Sequence, residues 1–205
     1  MNNEIIKDTI ANGLRLLDDA KLLNENARYA SAYALAVLAM EELGKALLKT
    51  WSVPDKGKGY AHLTKQRAVA SLLLGQFIEK EFGAEIKDGW ESNEDLVERV
   101  AKALSESKEG KFSRHVDLAV IDKLKQIALY HDDSWASSGI GHKRFVEESF
   151  ESMHTTCTKI FEAAQDSKWL WIGEGMFHLT IPKARIQRNK NIQDSDYSAK
   201  STKIP

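Results

Sequence analysis

From Asp55 to Ile181 the chain runs for 127 residues without a proline, its three prolines being Pro54, Pro182 and Pro205. A proline inside a helix removes a backbone hydrogen bond and clashes with the preceding turn, at about 3 kcal/mol or more, so its absence leaves long helices unobstructed. The apolar spacing uses that freedom. Ile6, Ile10, Leu14, Leu17 and Ala20 step by three and four, and so do Tyr29, Tyr33, Ala36, Val37, Met40, Leu43 and Leu47. Both series are the buried stripe of a helix. The polar joint Asn24-Glu25-Asn26 between them predicts an antiparallel hairpin of helices. The second helix is apolar almost all round, which predicts a central position.

Further along, Pro54, Gly57 and Gly59 mark a loop, after which Thr64 caps a helix with the face Val69, Leu72, Leu73 and Phe77, ending near Gly83. A polar stretch of about 88–112, with a short amphipathic helix at Leu96, Val97, Val100, Ala101 and Leu104, is read as a small helical insert. Val116, Val120, Leu124, Ile127 and Ala128 predict one further helix ending near Tyr130, and Phe145 to Phe161 another, with a turn at Ser137 to Gly141 between them. Gly173-Glu174-Gly175 between two apolar runs suits a short β-hairpin near 169–181, or equally a frayed helix end. The expectation is an all-α antiparallel bundle over residues 1–181, followed by a polar, flexible tail at 182–205 with six basic residues against two acids.

With 205 residues, 42% of them apolar, the chain fills one core and is not intrinsically disordered. Its net charge of −1 provides no global field for a polyanion or an acidic membrane, so any nucleic-acid contact must be local. The single cysteine, Cys157, excludes an internal disulfide and a thiolate zinc site, and suits a reducing cytoplasm. No apolar run reaches the roughly 20 residues of a membrane span, and the amino terminus has acids and amides where an export signal needs a basic start. A cytoplasmic protein without membrane contact is expected.

Charges inside the most apolar helix need an explanation, because burying one costs several kcal/mol unless it is paired. At 100° per residue, Glu42, Lys45, Lys49, Ser31 and Arg28 fall within about 60° of one line, a polar stripe on a greasy rod. Two readings stay open: an ion pair inside the bundle, or a stripe facing a cleft, where Glu42 orients a catalytic cation. Gly44, in mid-helix, costs about 1 kcal/mol relative to alanine and points to a close neighbouring helix. His62 and Lys65 open the third helix, where free backbone N–H groups favour an anion. Lys125 precedes His131 by six positions, and His131 is either a half-buried capping residue or a general acid or base. There is no Gly-rich phosphate loop, no Gly-x-Ser-x-Gly, no His-Glu-x-x-His and no Glu-x-x-His pair, so no cofactor and no metal are expected.

The segment Tyr33-Ala-Leu-Ala-Val-Leu-Ala-Met-Glu-Glu-Leu-Gly-Lys45, then His62-x-x-Lys65, then Ala128-Leu-Tyr-x-Asp132 and Trp135, resembles the AbiV family of bacterial abortive-infection proteins within the HEPN superfamily. The resemblance runs from about Ile5 to Trp135 and is most specific at Glu-Glu-Leu-Gly-Lys. It implies a HEPN-like helical bundle, usually a homodimer, that serves phage defence, with relatives that are metal-independent endoribonucleases. In those relatives an arginine followed four to six residues later by a histidine acts on the RNA phosphodiester. No arginine here has such a histidine, and the nearest substitute is Lys125 with His131, lysine being the poorer bidentate partner of phosphate. The resemblance therefore implies RNA as substrate, with His131, Lys125, His62, Glu42 and Lys45 as catalytic candidates and Lys65, Arg28, Lys49 and Asp132 as substrate-binding candidates. A phage-encoded activator or the translation machinery is the partner it implies. The rival reading is a non-catalytic binding module that acts by occupying such a partner.

Overall fold

The computed structural model describes residues 3–55, 59–86, 93–129 and 142–179. The turn expected at Ser137 to Gly141, the end of a helix at Tyr130, and the tail at 182–205 lie outside these residues. Along the described chain the elements are α1 (Asn3–Glu25), α2 (Tyr29–Thr50), α3 (His62–Phe82), α4 (Glu94–Glu106), α5 (Lys108–Asp117), α6 (Val120–Leu129), α7 (His142–Ala163) and α8 over residues 167–179. Every regular element among the described residues is helical, so the fold is all-α. No helix among them is long and apolar enough to cross a membrane.

Helices α1 and α2 form the expected hairpin. Ala27 takes a left-handed φ of 56°, which lets the Arg28 N–H reach back to the Leu23 carbonyl at 2.8 Å and close the end of α1. Helix α2 is the central rod: from Ala32 to Leu48 most of its residues are buried, beneath α1, α3, α6 and α7 together. Met40, Leu43, Leu47, Leu72, Ile160 and Phe177 are among the fully buried side chains of this core. The helix that is apolar almost all round is thus central, as expected. Helix α4 packs a smaller cluster, Leu96 and Val100 on Phe82, at the far end of α3. Asn93 caps it by accepting the Leu96 N–H at 3.2 Å, and Ser107 caps α5 by accepting that of Gly110 at 2.9 Å.

Two expectations need correction. The stretch around Val116 to Ala128 is two helices, because Ala119 adopts a left-handed φ of 55° and its N–H bonds to the Val116 carbonyl. No glycine or proline marks the break, and Val116 and Ile121 on either side of it are both buried. The apolar spacing therefore continues across a change of direction. The described part of 169–181 is helical, not a β-hairpin. Gly173 marks close helix contact instead of a turn: a Cβ on it would lie 3.2 Å from the Leu72 Cα, and one on Gly75 of α3 would lie 2.7 Å from Ile172 Cγ2. Each helix thus places a glycine against side chains of the other, and Trp51 ties α8 down by donating its indole N–H to the Leu170 carbonyl at 2.9 Å.

Candidate functional site

Gly44 is where α2 and α3 come closest. A Cβ there would sit 2.2 Å from the Lys65 carbonyl oxygen and 2.7 Å from its carbon, so only a glycine permits the contact. One turn earlier on the same face, Glu41 is 1% exposed. The first turn of α3 faces it with His62, Lys65 and Gln66, spaced i, i+3, i+4 and therefore on one side of that helix. Helix α6, redirected by the break at Ala119, brings Lys125 and, one turn before it, Asp122.

These side chains converge on one carboxylate. Glu41 Oε1 accepts from Lys125 Nζ at 2.9 Å and from the Gln66 amide at 3.1 Å. Glu41 Oε2 accepts from Lys65 Nζ at 3.1 Å and from His62 Nδ1 at 2.5 Å. Lys125 Nζ also pairs with Asp122 Oδ1 at 2.9 Å. Burial by itself would raise the Glu41 carboxyl, but the hydrogen bonds from Lys125 and His62 and the charges of Lys65 and Lys125 outweigh it and hold the group down at about 2. For Lys125, burial opposes the charge and loses to the hydrogen bonds it donates to Asp122 and Glu41, so its ammonium is held above the ordinary lysine range. The Gln66 side-chain oxygen is buried and has no hydrogen-bond partner among the described residues.

The cluster is closed on three sides and open at the histidine. The Lys125 side chain is 6% exposed and that of Lys65 14%, whereas that of His62 is 58% exposed. His62 Nδ1 lies against Glu41 Oε2 and 3.4 Å from Lys125 Nζ; the carboxylate favours a hydrogen on Nδ1, which in the neutral ring puts the lone pair on Nε2. Glu41, His62 and Asp122 also offer ligand atoms within 4.8 Å of one another, a spacing suited to a metal ion. The Lys125 ammonium already lies 2.9 Å from both carboxylates, in the place a cation would take, so the donor set fits a lysine better than a metal.

Of the residues singled out in the sequence, the structure brings together Lys125, His62 and Lys65. Glu42 is not at their centre: about 100° round α2 from Glu41, it pairs with Lys45 at 3.2 Å on a partly exposed face. Lys49 is half-buried near the end of α2. Arg28 is exposed just before its first residue, and at about 1.5 Å of rise per residue is about 20 Å from Glu41 along the axis. His131 and Asp132 lie outside the described residues. The sequence reading passed over Glu41, Gln66 and Asp122. The signal for Glu41 was Gly44, one turn away on the face that had to meet a neighbour.

A family model described as AbiV, of HEPN type, matches residues 2–139, about two thirds of the chain and every member of the Glu41 cluster. No curated protein and no solved structure matches the chain.

Proposed function

The chain belongs to the AbiV family of HEPN-type proteins, and from that premise we propose that it serves phage defence as a metal-independent endoribonuclease that arrests translation on infection. The observation that carries this reading is His62, held at Nδ1 by a buried carboxylate while its side chain is 58% exposed. That is the arrangement of a general base whose tautomer is fixed by an acidic partner. His62 Nε2 takes the proton of a ribose 2′-hydroxyl, the 2′-oxygen attacks the adjacent phosphorus, and the bond to the 5′-oxygen breaks. The leaving oxygen receives a proton, and a 2′,3′-cyclic phosphate and a 5′-hydroxyl result. Lys65 is the cation beside the histidine with some access to solvent. Lys125 and Glu41 act through His62, as positioning residues. His131 is the second histidine candidate for the proton returned to the leaving group.

The reading places the protein in the cytoplasm, as a homodimer, under the control of a phage-encoded activator. Its test is expression of the wild type, His62→Ala and His131→Ala, with sequencing of cellular RNA ends and a melting curve for each. A single general acid or base contributes about 100-fold to 10,000-fold, so loss of His62 should abolish new cyclic-phosphate ends while the fold persists. Ends that persist unchanged in a folded His62→Ala variant overturn the assignment.

One observation favours a second reading. Both buried lysines are committed to Glu41, and Lys125 to Asp122 as well, which leaves neither ammonium free for a phosphate. In that case the cluster braces a non-catalytic module that binds a phage protein or the translation machinery. Growth arrest retained by His62→Ala, with no new RNA ends in any variant, supports this reading over the first.

A further inference from the structure

Away from the Glu41 cluster, α5 and α7 face each other across a groove of about 550 Å³ floored by Leu73 of α3. The side that α5 presents is Lys108, Lys111, Phe112 and His115, spaced i, i+3, i+4, i+7. Helix α7 answers with Ser152, Thr155, Thr156 and Lys159 at the same spacing. Here none of Lys108, Lys111 and Lys159 meets a carboxylate among the described residues, although Lys45, Lys65, Arg67, Arg99, Lys125 and Lys168 all do. Three ammoniums without an ion pair among the described residues outnumber the two carboxylates of the same lining, and an anion lying between them balances the excess.

Two carboxylates also line the groove, Glu109 and Glu151. Glu109 and Lys159 stand where the groove runs on into a second hollow of about 730 Å³, in whose lining carboxylates outnumber lysines. A polyanion is repelled from that end, so the basic half takes a short stretch of anion and not a long tract. The half-buried Phe112 ring beside the lysines offers a stacking surface, and the hydroxyls of Ser152 and Thr155 offer donors to phosphate oxygens. The volume lies within the range of small-molecule sites.

We propose that the groove between α5 and α7 binds one or two nucleotides of single-stranded RNA, with base against Phe112 and phosphate between Lys111 and Lys159. The proposal rests on RNA being the substrate class and adds a binding subsite remote from His62. Its test measures binding, not cleavage. A fluorescein-labelled ten-nucleotide oligouridylate is titrated by anisotropy into the full chain carrying His62→Ala, with and without Lys111→Gln and Lys159→Gln. Both lysines are exposed on helices, so the substitutions leave the melting temperature in place. Affinity should fall at least about tenfold, and the slope of log K against log salt should fall by about 0.7 for the one lost phosphate. Equal affinity and slope in the two proteins overturn the groove while leaving the cleavage reading intact. Binding of polyglutamate in place of the oligouridylate, sensitive to the same substitutions, overturns the RNA assignment in favour of an acidic protein partner. Lysine-dependent oligouridylate binding together with His62-independent RNA ends upholds the groove and overturns the proposed catalytic site.

Discussion

A carboxylate taken out of water needs donors to replace the water it lost, and Glu41 has four, from Lys125, Gln66, Lys65 and His62. Removing its charge leaves two buried ammoniums without their main partner, so Glu41→Gln should lose about 3–5 kcal/mol at neutral pH even though it keeps the shape. The loss depends on pH with a defined sign. Because the folded carboxyl is held at about 2, below its ordinary 4.5, the unfolded chain takes up the proton first. The contribution of this ionisation, on the order of 3 kcal/mol, is complete above about pH 4.5 and disappears as pH falls towards 2. Urea melts of both proteins at pH 7, 5 and 3 check it: the gap between wild type and variant should be constant from 7 to 5 and narrower at 3. A gap as wide at pH 3 as at pH 7 would show that Glu41 is not held ionised by its partners. At this scale the sequence was legible to within one residue. A charge in the apolar helix was plainly in need of a partner, but the choice between Glu41 and Glu42 depends on which side α3 approaches, and that is set by Gly44 and not by either acid.

Between elements, small residues decide. Gly44→Ala gains about 1 kcal/mol of helix propensity, yet its methyl group would meet the Lys65 carbonyl, which cannot swing aside as a side chain can. Helices α2 and α3 would have to part, and we expect a net loss of about 1–3 kcal/mol in a urea melt, the range of overpacked cores. Stability equal to or above that of the wild type would mean that the two helices do not touch there. The same physics explains why the segment after Asp166 was read two ways. Glycines between apolar runs suit a hairpin turn and a close helix crossing equally, and only the presence of Leu72, Trp51 and Gly75 opposite decides between them. The break at Ala119 was illegible for a different reason. An alanine in the left-handed region carries no mark in the sequence, and the buried residues on both sides keep the periodicity that a single helix would have. The long helices α1, α2 and α3 were legible because their stripes are long and their ends marked by polar joints and a glycine-rich loop.

For the whole molecule, the described core closes without residues 182–205: its last buried side chain is Phe177, 1% exposed. Deleting 182–205 should leave the melting temperature within a few degrees, and because that segment carries six basic residues against two acids it should weaken polyanion binding in a salt-dependent way. A drop of many degrees would show that the segment belongs to the core. The homodimer expected from the family is checked by light scattering, where the mass should be twice that of the chain at micromolar concentration; a single-chain mass at every concentration would exclude it. The Glu41 cluster bears on how such a chain comes to be made. Its members lie on three segments, and Lys125 follows Glu41 by 84 positions. During synthesis, at about 5–20 residues per second, α2 and α3 leave the ribosome several seconds before the lysine that lets Glu41 be dried. Until α6 arrives, the helix hairpin must stay wet on that face, so the central rod can finish packing only after most of the sequence that surrounds it has been translated.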